Sequence, residues 1–119
     1  MLATQRAVLF SNRYGRRLHV LHLTTGAEAE WLRHNKTALI STEVTPQHLL
    51  LDSSAYGLIG SLAQMNPPLR TAADREMLWQ ALLDGVIDCI ATDHAPLASW
   101  AGIMPCRGSR CPCRGMRPP

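Results

Sequence analysis

The segment VIDCIAT (86–92) is apolar or β-branched at nearly every position. A strand with one face in water alternates between apolar and polar residues. A near-continuous run instead fits a strand covered on both faces, as in a parallel sheet packed between helices. RLHVLHLTT (17–25) and TALISTEVTP (37–46) read the same way, and Pro46 ends the second. Helical stretches separate them. Residues 3–13 place Ala7, Val8 and Phe10 inward, and Tyr14-Gly15 stops that helix. Residues 26–34 follow a Thr24 or Thr25 cap, with Glu28 spaced for a capping box. Residues 71–85 begin at Thr71 with Asp74 at N3, carry Met77, Leu78, Ala81 and Leu82 on one face, and stop at Gly85. Residues 47–70 form a long connection with a short helical turn near 53–62. Strands alternating with helices predict an α/β parallel sheet covered by helices. Three strands are too few to close such a sheet, so its edges stay open.

Composition narrows the partners. Of 119 residues, 46% are apolar, enough for a core, and only 18% are charged. The net charge of +3 is unevenly placed. Residues 98–119 hold Arg107, Arg110, Arg114 and Arg117 and no acid, whereas residues 1–97 are close to neutral. The main body therefore offers no electrostatic case for nucleic acid. No apolar run approaches the roughly 20 residues of a membrane span. The opening MLATQRAVLF is interrupted by Gln5 and Arg6 and does not read as a signal peptide, which favours the cytoplasm. Cys89 reads as a small buried hydrophobe. Cys106, Cys111 and Cys113 crowd the tail without a fourth ligand at finger-like spacing.

In parallel sheets chemistry gathers at the carboxyl ends of the strands. Here those ends read His22-Leu23-Thr24-Thr25, then Glu43 and Thr45 followed by His48, then Thr92-Asp93-His94. A His and an Asp meeting at one rim can ligate a divalent metal, which lowers the pKa of a bound water to roughly 7. A carboxylate there can also take the proton. Each residue has a plainer role open to it. His19 reads as structural, His34 as a surface residue late in a helix, His48 as loop packing, and Asp93 as a turn former.

The stretches RRLHVLHLTT, TEVTPQHLLL, AQMNPPLR and DREMLWQALLDGVIDCIATDHAP, in this order and over roughly residues 5–97, resemble dihydroorotase of the cyclic amidohydrolases. The resemblance implies a metal-dependent (β/α)8 barrel of which this chain supplies approximately strands 6 to 8 with their helices. It implies reversible hydrolysis of L-dihydroorotate to N-carbamoyl-L-aspartate in pyrimidine biosynthesis, with zinc as cofactor. Carried over by motif, His22 corresponds to a metal ligand. Asp93 corresponds to a residue that is both metal ligand and catalytic proton shuttle, and Asn66 to a substrate-binding residue. Glu43 and His48 are read as support for the rim. The implied partners are the small-molecule substrate, a second copy of the chain as homodimer, or aspartate transcarbamoylase. A non-catalytic partner of that transcarbamoylase, and an allantoinase or dihydropyrimidinase, are the rival readings.

The departures are as informative. No H-x-H pair exists, and the single lysine, Lys36, sits in a helix-to-strand turn where it cannot bridge metals. Leu97 stands where the family places a second histidine. Beyond Leu97 the chain is dense in Arg, Cys, Pro and Gly, without period or acid, and reads as a disordered tail produced by a frameshift. The expectation is a barrel domain over 1–97 that is a C-terminal-half fragment, inactive by itself because its metal site is incomplete.

Overall fold

The computed structural model describes residues 1–93. The expected tail, His94 and Leu97 lie outside the described residues. Helix α1 (Leu2–Tyr14) buries Val8 and Ser11 and ends at Gly15, whose φ of 59° is the left-handed conformation that glycine takes without penalty. Phe10, expected inward, is 60% exposed. The reason is helical geometry: residue i+2 lies across the helix from i, so Phe10 cannot share the face of Val8. It stacks along the surface on Tyr14 instead.

The sheet is parallel, in the order β1 (Leu18–Val20), β2 (Ile40–Val44), β3 (Cys89–Ile90). Leu18 faces Ile40 across the first ladder, and Glu43 faces Cys89 across the second. The strands are shorter than their apolar runs. Leu23, beyond β1, and Ile87, ahead of β3, still enter the core with Val8, Leu32, Val44 and Leu78. Asp88 ties β3 to its neighbour: one carboxylate oxygen accepts from Lys36 Nζ (2.6 Å) and from the Thr42 amide (2.6 Å). Burial disfavours the charged carboxylate, yet these donors outweigh it and hold Asp88 below its ordinary pKa. Lys36, as expected, is occupied at the turn away from the strand tips.

Helix α2 (Gly26–Asn35) is capped by Thr25, whose hydroxyl accepts from the Glu28 amide. Glu28 does not complete the box; its carboxylate accepts from Thr4 Oγ1. Helix α5 (Ala72–Leu83) does carry the full reciprocal box between Thr71 and Asp74. Its last cap position is Asp84, with Gly85 following at φ 74°. Helices α2 and α5 touch at Gly26: its amide donates to Asp74 Oδ1 (2.9 Å), and a Cβ there would lie 2.4 Å from Met77 Sδ. Met77, although 42% exposed, thus packs on the neighbouring helix.

Between β2 and α5 the chain forms α3 (Pro46–Leu50), α4 (Ala55–Ile59) and a 3-10 turn (Gly60–Ala63). The last two fall where the helical turn is expected. Helix α3 is not anticipated: Pro46 ends the strand and also takes the first helical turn, where its missing N–H is no loss. Among the described residues no helix is long and apolar enough to cross a membrane.

Candidate functional site

His22 and Asp93 lie just past the ends of β1 and β3, the two outer strands, so their side chains meet across the tip of β2. His22 Nε2 is 3.5 Å from Asp93 Oδ2. Both residues have positive φ, 53° and 42°, and they are the only described non-glycine residues that do. Such backbone is costly for a residue with a Cβ and persists only where the surroundings enforce it, a pattern that concentrates at functional sites.

Glu43 stands between them on β2 and is 7% exposed. Its Oε2 is 2.8 Å from His19 Nε2, and its Oε1 is 3.0 Å from His22 Nδ1. The His19 contact is a true hydrogen bond, and Ser41 Oγ holds the other ring nitrogen at 2.7 Å. The His22 contact is close but off the line a hydrogen bond needs. His22 Nδ1 is left as the one buried side-chain polar atom without a hydrogen-bond partner among the described residues. An orphaned imidazole nitrogen beside a carboxylate, with the other ring nitrogen facing a second carboxylate, is a donor set suited to a divalent cation. The residues therefore fit a metal, with two described ligands at this rim.

His48 is 2% exposed and packs inside the connection, 2.7 Å from Thr45 Oγ1 and 3.0 Å from the Pro67 carbonyl. That bond anchors the Asn66–Pro67 segment, joined by a cis peptide, to the end of β2. Asn66 is exposed on this loop and shares no hydrogen bond with His22 or Asp93. His34 is on the surface, paired with Glu30.

A second cluster lies lower on the sheet. Donor atoms of His19, Glu43 and Cys89 all lie within 4.8 Å of one another. Cys89 corrects an expectation: it is exposed, because no described element covers the sheet face away from the helices. The pairing of Glu43 with Cys89 in the second ladder is what assembles this cluster. It could not be found from spacing, since the three residues are separated by more than 20 positions and only the register unites them.

No family model matches the chain. It is 46% identical over 95 residues to the dihydroorotase of Mycobacterium leprae and 47% identical over 95 residues to that of Staphylococcus aureus strain Mu50. In each case 78% of this chain and 22% of the relative are covered. Among solved structures it is similar to the L-hydantoinase (dihydropyrimidinase) of Arthrobacter aurescens, with a TM-score of 0.70 and 32% identity over 76% of this chain and 20% of that one. A D-hydantoinase from Bacillus sp. AR9 gives 0.73 and 30% over 79% and 22%. The chain thus spans about a fifth of the length of the curated relatives it matches. Over its aligned residues the chain is similar to dihydroorotases and, in fold, to hydantoinases.

Proposed function

We propose that this chain supplies part of the active rim of a cyclic amide hydrolase acting on L-dihydroorotate in the cytoplasm, as strands 6 to 8 of a (β/α)8 barrel. The observation that carries the reading is the approach of His22 and Asp93 to 3.5 Å across the tip of β2, inside a segment 45–47% identical to dihydroorotases. A bound zinc ion would supply Lewis acidity and activate water. His22 would offer that ion a ring nitrogen: its Nε2 faces Asp93, and its Nδ1, beside Glu43, makes no hydrogen bond. Asp93 offers a carboxylate to the same ion and takes the proton of the attacking water. It returns that proton to the ring nitrogen as the C–N bond breaks, so one water is consumed and N-carbamoyl-L-aspartate is released. The Asn66 amide contacts substrate from its loop.

Two ligands fall short of the three that catalytic zinc sites use, so the chain by itself does not turn over dihydroorotate. Complementation tests this. The chain is co-produced with a Staphylococcus aureus dihydroorotase lacking the matching segment. Zinc-dependent ring opening is expected to return with this chain and to fall at least about 1,000-fold with Asp93→Asn. Equal activity with Asp93→Asn would remove Asp93 from the mechanism.

The structural neighbours favour one second reading, a hydantoinase or dihydropyrimidinase. The same complemented protein, offered hydantoin and dihydrouracil beside dihydroorotate, separates the two by which ring it opens.

A further inference from the structure

We propose that His19, Glu43 and Cys89 form a separate binding site for a borderline-soft divalent cation of the zinc class, on the sheet face away from the helices. The site takes one ligand from each strand: His19 from β1, Glu43 from β2 and Cys89 from β3. It therefore does not depend on loop conformation. Its ligands are not those of the pair His22 and Asp93 beyond the strand ends, although Glu43 adjoins both, with Oε2 toward His19 and Oε1 3.0 Å from His22 Nδ1.

Geometry and charge agree. The three donor atoms lie within 4.8 Å of one another. A tetrahedral zinc ion with bonds of about 2.0–2.3 Å sets its ligand atoms about 3.3–3.7 Å apart, a spacing this cluster reaches by small side-chain rotations. Thiolate, carboxylate and neutral imidazole carry two negative charges together, which a dication cancels. A nitrogen, oxygen and sulfur set selects zinc-like ions over magnesium or calcium, which take oxygen alone. Outer contacts are also in place. Ser41 Oγ, 2.7 Å from His19 Nδ1, can accept a ring hydrogen there, and the Nε2 hydrogen now shared with Glu43 leaves to solvent as the ion binds, which frees Nε2 as a ligand. Glu43 is nearly buried, so its charge is poorly screened by water, whereas Cys89 is exposed and open to an entering ion. With three protein ligands and a fourth position free, the site has the open form to which an exogenous ligand adds.

The test uses the full chain with Cys106, Cys111 and Cys113 replaced by serine, so that Cys89 is the sole thiol. Cobalt(II) is the probe, because a thiolate ligand gives a charge-transfer absorption in the near ultraviolet that nitrogen and oxygen ligands do not. One equivalent of cobalt is expected to produce that band. Cys89→Ser, an isosteric change at an exposed position, is expected to abolish it. His19→Gln is expected to weaken cobalt binding by about tenfold or more. His22→Gln is expected to leave the band in place. Absence of the band in the single-thiol chain overturns the proposal, as does its persistence after Cys89→Ser. Its loss with His22→Gln also overturns it, because the thiol would then serve the rim. Far-ultraviolet circular dichroism confirms that each variant compared is folded.

Discussion

His48 is held between two partners of different kinds, and this fixes its protonation. The Pro67 carbonyl can only accept, so Nε2 carries the hydrogen, and Nδ1 is left to accept from the Thr45 hydroxyl. The neutral ring is fully satisfied where it sits. Burial disfavours the imidazolium, the Pro67 bond partly opposes that, and nearby His22 adds to the depression, so the pKa lies below its ordinary value. The unfolded chain takes up the proton first as pH falls through about 6.5. Stability from this residue is thus complete above that pH and drains away below it, toward the lowered folded value. Urea midpoints measured from about pH 7.5 down to 5 should fall for the wild type and fall less for His48→Gln. Parallel decline of the two would show that another group controls the slope. The packing role of His48 was legible from its place after a proline turn. The bridging place of Glu43 was not: a carboxylate near a strand end gives no sign that histidines flank it on both sides, and only the sheet register does.

At the scale of elements, the contact of α2 with α5 rests on a missing side chain. Gly26 opens α2, and a Cβ there would meet Met77 at both Sδ (2.4 Å) and Cβ (2.7 Å). The sulfur can swing aside, but the Met77 Cβ is fixed to its helix, so the helices must separate. Gly26→Ala should lower stability by about 1–3 kcal/mol, read as a lower urea midpoint at unchanged slope. A neutral or stabilised variant would show that the helices shift freely. Thr71→Ala, which removes the capping box of α5, should lower stability by about 1 kcal/mol, while Thr71→Ser should retain most of it. If serine proves no better than alanine at this position, the hydroxyl is not what stabilises that end. The helices and the parallel pairing were readable because caps, glycine stops and continuous apolar runs are local signals. Helix α3 escaped because one proline marks both the end of a strand and the start of a helix. Phe10 was misplaced because a count of apolar residues ignores the angle between them.

In the whole molecule the edges of the three-stranded sheet stay open, as expected, but the apolar runs did not show which face would be left uncovered. Apolar runs indicate strands meant to be covered twice, yet the described helices cover one face only. On the other face Leu21 is 61% exposed beside the polar cluster, and β1 and β3 each have one side without a described partner strand. Leu9, Leu58 and Leu83 add further exposed apolar area on the helical side. Residues 1–97 are close to neutral, so little charge repulsion opposes association. Unpaired parallel edges and exposed apolar side chains together favour contact between copies. At micromolar concentrations the chain should elute well above its 13.1 kDa mass, the excess growing with concentration. Leu21→Lys, which puts a charge on the uncovered face without touching the helical core, should move the population toward monomer. A single 13.1 kDa species at every concentration, with one sharp unfolding transition, would mean that the described strands and helices satisfy themselves and that the uncovered face tolerates water.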